Sequence, residues 1–313
     1  MKSKKIIVVG STNMDMVVKT DHIPAPGETV LSGAFFMNPG GKGANQAVAI
    51  SRLGGEVVFI TKLGNDIFGK QFSRLFKEEG IDTSYLISDE KLPSGVALIT
   101  VDKAGENSIV VASGANAQLN PEDIKNALAE IVDAAFLLVQ LEIPMHTVEF
   151  VIDYAYRHNI RIILNPAPAN NLSADLLSKV DLLTPNEKEA SDISGIKVNS
   201  IESAYEAARI ICSKGVKKVV VTMGAMGAAV CEAGNCYLVP SSEVTAVDST
   251  AAGDVFNGAL VVALSEDEDL KAAVTFACEA AAISVTRMGA QSSIPVRNEV
   301  IAQKLHQKKT SSE

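Results

Sequence analysis

Short, continuous apolar runs alternate along this chain with longer stretches in which apolar residues recur every three or four positions. The first kind reads as a buried strand, the second as a helix with one face on a core. Ile6-Ile7-Val8-Val9 leads into Gly10-Ser11 and predicts a strand that ends in a turn. Residues 56–63 predict another strand. Asn65-Asp66 then opens a helix whose stripe of Phe68, Phe72, Leu75 and Phe76 stops at Gly80. Asn120-Pro121 caps a helix carrying Ile124, Leu128 and Ile131. Strands over 135–140, 161–164, 180–184 and 218–222 alternate with helices over 147–158 and 202–213. This alternation predicts an α/β fold with a mostly parallel central sheet and helices on both faces. Sheets of that kind bind ligands outside the carboxyl ends of their strands.

Two regions break the pattern. Residues 14–20, 30–37, 95–102 and 107–112 carry short β-like runs. They read either as a small antiparallel sheet beside the main domain, serving as a lid, or as edge hairpins of the main sheet. The expected organisation is one α/β domain over 1–313, with a β lid built from about 14–37 and 95–112. The polar tail 308–313 reads as frayed.

Composition narrows the function. A chain of 313 residues with 47% hydrophobic and 21% charged positions is ordinary for a globular enzyme. No apolar run is long enough to cross a bilayer. The basic Lys2-Ser3-Lys4-Lys5 precedes only four apolar residues, short for a signal-peptide core, so a cytoplasmic protein is expected. Cys212, Cys231, Cys236 and Cys278 show no CxxC spacing, so neither a zinc site nor a disulfide framework is expected. A net charge of −9 argues against nucleic acid as a partner. It still allows a nucleotide held through local N–H groups and a metal.

The stretch from Asp248 to Leu260 carries the strongest chemistry. Small and hydroxylated residues give way after Gly253 to a helical apolar pattern, which places Ala251, Ala252, Gly253 and Asp254 in a first helical turn. Unpaired amides at such a turn, under residues no larger than alanine, make an anion site. Asp254 beside an anion is unexpected for binding alone. It is explained if the carboxylate takes a proton from a hydroxyl that attacks phosphorus. A plainer reading is that Asp is simply favoured at helix starts. Gly40-Gly41-Lys42-Gly43-Ala44-Asn45-Gln46-Ala47 is a second signal. It lacks the GxxxxGK[ST] spacing of a Walker loop. Its glycines would let backbone approach a ligand before a helix starts near Ala44, with Lys42 and Asn45 donating to hydroxyls.

Together these segments resemble the signature motifs of the ribokinase-like (pfkB) carbohydrate kinases. The resemblance runs from Gly10-Ser11-Thr12-Asn13-Met14-Asp15 to Arg287-Met288-Gly289-Ala290-Gln291 and includes Asn165-Pro166-Ala167-Pro168-Ala169 and Thr184-Pro185-Asn186-Glu187. It implies ATP-dependent phosphorylation of a sugar, D-ribose at O5 being the best match, with Asp254 as general base and the 251–253 amides as anion hole. Kinases for 2-deoxyribose, fructose or adenosine, or a non-catalytic sugar binder, are the alternatives. It implies a sugar site of Asn13, Asp15, Gly41, Lys42, Gly43, Asn45, Glu142 and Asp254. Asn186, Thr222, Gly224, Gly227, Gly253 and Cys278 would serve ATP, and Glu189 would hold Mg²⁺ through water. Asp248, Thr250, Ser284, Arg287, Gly289 and Ser293 would surround K⁺. A homodimer through the lid is expected as well. Val255 departs from the family, which often has a small hydroxylated residue there.

Overall fold

The computed structural model describes residues 4–31, 33–131 and 133–310, without the side chains of 304–310. The chain begins with β1 (Ile6–Val9), then β2 (Asn13–Lys19), β3 (Phe35–Gly40), α1 (Lys42–Arg52), β4 (Val57–Gly64), α2 (Ile67–Glu78) and β5 (Leu86–Asp89). It continues with β6 (Gly95–Val101), β7 (Asn107–Ala112), α3 (Pro121–Glu130), β8 (Phe136–Val139), α4 (Met145–Arg157), β9 (Arg161–Leu164) and α5 (Ala174–Ser178). Next come β10 (Leu182–Leu183), α6 (Glu187–Ser194), α7 (Ile201–Ser213), β11 (Lys218–Thr222), β12 (Ala228–Glu232) and β13 (Asn235–Val239). Three helices close the fold: α8 (Ala252–Ser265), α9 (Leu270–Ser284) and α10 (Arg297–Thr310).

The main sheet has the order β13-β12-β11-β10-β9-β8-β1-β4-β5, parallel from β11 to β5 with an antiparallel hairpin at one edge. Successive side chains on a strand point to opposite faces, and β1 shows it. Ile6 and Val8 join the core under α1, α2, α8 and α9, whereas Ile7 and Val9 join the core under α3, α4 and α7. Both faces are covered, which explains the uninterrupted apolar runs.

β3, β2, β6 and β7 form a separate four-stranded sheet, so the edge-hairpin alternative does not hold. Its outer pairs are antiparallel and its central β2–β6 pair is parallel. The parallel pair follows from topology: between β3 and β6 the chain passes through α1, β4, α2 and β5 of the main body. Val17 and Ala97 are buried on one face, whereas Phe35, Met37, Leu98 and Val110 share the opposite face and are exposed, with Met14 buried at its root.

Several boundaries differ from expectation. The second strand of this sheet runs over Phe35–Gly40 rather than 30–37, and α1 starts at Lys42 rather than Ala44. Helix α10 continues through Thr310, so 308–310 are helical, and 311–313 lie outside the described residues. No framework of disulfides was expected, and a single pair is nevertheless bonded. Cys231 and Cys236 are register partners across the β12–β13 hairpin and are bonded to each other. A two-residue turn, Ala233-Gly234 with φ of 48° and 83°, pairs positions five apart, a spacing that a search for CxxC passes over. No helix among the described residues is long and apolar enough to cross a membrane.

Helices α1 and α8 cross at Gly258, where an added Cβ would lie 2.6 Å from the Ala49 Cβ. That contact is too short for any real methyl group, so the helices must separate to admit one. Gly258→Ala is expected to lower stability by about 1–3 kcal/mol in chemical denaturation, despite alanine's better helix propensity.

Candidate active site

The site gathers where β1, β8, β9 and β10 end and α1 and α8 begin. Gly10 closes β1 because a side chain there would strike the Gln140 Oε1 at 2.2 Å and the Gly43 Cα at 2.8 Å. Gly41 caps α1 at φ 88°, where a Cβ would sit 2.7 Å from the Asn13 backbone nitrogen. Gly43 is equally tight against the Gly10 backbone. These two glycines therefore bring α1 onto the β1–β2 turn, a packing role that the expected ligand approach did not include.

Packing α1 there places its side chains against α8. Asp254 is buried, with its Oδ2 accepting from the Asn45 Nδ2 at 2.9 Å and its Oδ1 from the Gln46 Nε2 at 3.0 Å. Asn45 thus spends one N–H on the carboxylate, and its own Oδ1 is buried without a hydrogen-bond partner. Burial pushes the Asp254 carboxyl above its ordinary range, against the pull of Lys42, Asn45 and Gln46.

The start of α8 differs in one detail from expectation. Ala251 adopts a left-handed conformation (φ 61°) as the cap instead of entering the first turn. The Ala252 N–H donates to the Ser249 carbonyl at 3.2 Å, so this amide is committed within the turn. The first intrahelical bond joins Val255 N–H to Ala251 O, at 2.9 Å. The amides of Gly253 and Asp254 therefore carry the open end of the helix. A side chain on Gly253 would meet nothing within 4 Å.

Four carboxylates surround Lys42. Burial works to lower its pKa, but Asp254, Glu142, Glu189 and Asp15 together leave it raised. The Glu142 Oε2 accepts from the Ser11 hydroxyl at 2.5 Å and from the Lys42 backbone N–H at 3.0 Å. Asn13 is buried and accepts from the Asn116 Nδ2 at 2.8 Å, so half of its carboxamide faces the protein. Asp15 lies on β2 against Gly40, where a Cβ would fall 2.2 Å from the carboxylate. Burial, with Glu142 and Asp254 nearby, pushes the Asp15 carboxyl up to about 7.

On the far side of α8 lies an apolar cleft of about 410 Å³. Thr222, Gly224, Gly227, Gly253 and Cys278 all line it, as expected of the nucleotide set. Gly227 needs its φ of 100° because a side chain would strike the Val239 carbonyl at 2.1 Å. Burial beside Glu279 pushes the Cys278 thiol up to about 12. Asn186, the remaining member, stands outside this lining and caps α6. Its Oδ1 accepts from the Glu189 N–H at 2.8 Å, and the Glu189 carboxylate accepts from the Asn186 N–H at 2.9 Å. This acidic turn is thus a helix-capping box in its own right. Glu189 is nevertheless buried and raised by that burial, with one carboxylate oxygen outside the capping bond, a donor suited to water-mediated contact with a divalent cation. Among the described residues no three acidic, histidine or cysteine side chains form a metal cluster.

Two loops meet where the monovalent cation is expected. Asp248 accepts from the Thr250 N–H at 2.9 Å, the Thr250 hydroxyl at 2.6 Å and the Gly289 N–H at 2.8 Å. Burial opposes this, but those bonds leave its pKa lowered. The Ser284 carbonyl accepts from the Arg287 N–H at 3.1 Å, and the Ser293 hydroxyl donates to the Ala290 carbonyl at 2.7 Å. The Arg287 side chain pairs with Glu299 at 2.5 Å, away from the loop.

Sequence reasoning missed Ser11, Gln46, Asn116, Gln140 and Asn165. Gln46 was legible, since it falls one helical turn after Lys42, and Gln140 was a polar residue closing an apolar strand. Asn116 left no signal, because a short 3₁₀ turn carries it.

A buried carboxylate beside an open helix start, with a lysine and acids on one side and an apolar cleft on the other, defines a phosphotransferase site on an α/β fold. The chain belongs to the pfkB family of carbohydrate kinases, which it matches over residues 3–297. It is 44% identical to a ribokinase of Haemophilus influenzae over 298 residues, covering 95% of this chain and 97% of that one. It is 39% identical to a deoxyribokinase of Salmonella typhi over 294 residues, covering 93% and 95%. Among solved structures, ribokinase of Thermotoga maritima superposes with a TM-score of 0.87 at 42% identity, covering 96% of this chain and 98% of that one. Arabidopsis thaliana ribokinase complexed with ribose and ATP gives a TM-score of 0.89 at 31% identity, covering 96% and 98%.

The raised pKa of Asp15 makes the ligand-free protein pH-sensitive. A carboxyl at about 7 when folded and near 3.8 when unfolded contributes fully below the lower value, and its contribution is lost as pH rises through the upper one. Asp15→Asn removes that loss. Thermal denaturation at pH 8 is expected to show the variant melting higher than the parent by about 2 °C or more, with a smaller gain at pH 5.

Proposed function

We propose that this chain transfers the γ-phosphoryl group of ATP to O5 of D-ribose, giving D-ribose 5-phosphate. One observation carries the reading: Asp254 lies buried at the first turn of α8, between the polar pocket around Lys42 and the apolar cleft. The ribokinase relatives, and the Arabidopsis structure complexed with ribose and ATP, support the choice of substrates. In this reading Asp15, Asn13, Lys42 and Glu142 hold the sugar hydroxyls. The Asn45 Oδ1, left unpaired, accepts from one more. Asp254 takes the proton of the attacking hydroxyl. The Gly253 and Asp254 amides, with the Lys42 ammonium, stabilise the charge on the transferring group. The adenine occupies the cleft beside Cys278, Gly224 and Gly227. Mg²⁺ held through water near Glu189 would neutralise the β- and γ-phosphate oxygens. K⁺ taken by the loops of Asp248, Thr250, Ser284, Arg287, Gly289 and Ser293 would brace the start of α8.

The whole chain acts as one cytoplasmic kinase domain with the second sheet as its lid. The exposed residues Phe35, Leu98 and Val110 on that sheet pair two copies into a dimer. A 2-deoxyribose kinase is the competing reading, favoured by the Salmonella relative of similar identity. Asn13 and Asp15 weigh against it, because a missing hydroxyl leaves buried polar groups unpaired.

A coupled assay with ATP across a panel of pentoses, hexoses and nucleosides is expected to give its highest kcat/KM with D-ribose. A higher value with 2-deoxyribose would assign the competing activity. Asp254→Asn should lower kcat by ~10²–10⁴ with ribose affinity retained, and near-parental turnover would exclude the general-base role.

A further inference from the structure

Behind Asp254 runs a chain of carboxamides that the catalytic reading does not use. The Gln46 Nε2 donates to the Asp254 Oδ1 at 3.0 Å and to the Asn165 Oδ1 at 3.2 Å. The Asn165 Nδ2 donates to the Thr184 backbone carbonyl at 3.2 Å. On the other side, the Gln140 Nε2 donates to the Gln46 Oε1 at 2.5 Å. Gln46, Gln140 and Asn165 are all buried.

The direction of this chain follows from chemistry. A backbone carbonyl only accepts, so Asn165 must turn its NH₂ toward Thr184 and its oxygen toward Gln46. Gln46 must then meet that oxygen with its NH₂, and the same NH₂ reaches Asp254. Its carbonyl end faces Gln140, which supplies a donor. The strand-end carbonyl at Thr184 thus dictates, two side chains away, that Asp254 receives a donor. Asn45 holds the other carboxylate oxygen.

We propose that Gln46 is a positioning residue for the general base, its amide aimed at Asp254 by the relay from Thr184 through Asn165 and steadied by Gln140. The inference rests on the kinase reading of Asp254. The charged groups around that carboxylate are Lys42 on α1, Glu142 beyond β8 and Asp15 on β2, and none of them belongs to the relay. Removing the Gln46 donor leaves these charges in place and takes away one bond that favours the ionised form.

The test is the pH profile of kcat for Gln46→Met, with Gln140→Met as the milder companion. In Gln46→Met the acidic limb is expected to move up by about one pH unit. The loss of kcat, approaching about tenfold on the acidic side of the limb, should shrink toward pH 9, with KM for the sugar within about twofold of the parent. Gln140→Met should move the limb the same way by less, and it decides the matter if Gln46→Met does not fold. A uniform loss at every pH, with the limb unmoved in the folded variants, would mean packing alone and overturn the proposal. Asp254→Asn separates the two readings. If it leaves turnover intact, the base assignment itself is wrong; if it abolishes turnover while the limb stays fixed, only the relay is wrong.

Discussion

Everything at this site answers to one constraint: the Asp254 carboxyl group is shut away from water among groups that favour its charge. Burial opposes the charged form of Asp254, and the protein opposes burial with an ammonium and two carboxamides. Those groups can reach it only because α1 lies close against both α8 and the β1–β2 turn. The closeness is set by Gly43 at one end and Gly258 at the other, where no side chain fits. Electrostatics and close packing are therefore one requirement at this point of the fold.

The same economy of space divides the ligands. The polar pocket draws its groups from strand ends and from α1, while the cleft draws on the β11 turn, α8 and α9. The first turn of α8 stands between the two and belongs to both. Small residues at Ala251, Ala252 and Gly253 keep this partition thin.

Much of this was legible in the residues. Buried parallel strands announce themselves as continuous apolar runs, so β1, β9 and β11 fall at their expected positions. Five of the residues expected around a nucleotide also fall on one cleft, a grouping that came from the family resemblance and not from the glycine turn alone. What escaped depends on chain segments distant in sequence. The parallel β2–β6 pair, the bond from Asn116 to Asn13 and the bonds of Gln46 to Asn165, Gln140 and Asp254 each join segments distant in sequence, and no local pattern encodes them. The left-handed Ala251 escaped for another reason: a non-glycine residue gives no warning that it will adopt such a backbone. At Asn186 and Glu189 the capping box satisfies the backbone and still leaves carboxylate capacity over.

The junction between the two sheets has a mechanical meaning. Both the N–H and the carbonyl of Thr12 are bonded to the Asn116 side chain, each at 3.0 Å, and its hydroxyl meets that of Thr61 at 3.0 Å. The strand that carries Asn13 and Asp15 is consequently clamped at its root, like an oar in its rowlock. Any swing of the smaller sheet pivots beyond that clamp and is greatest at the outer blade, near Lys19 and Val101. Residues at the pivot would keep their aim through any such swing.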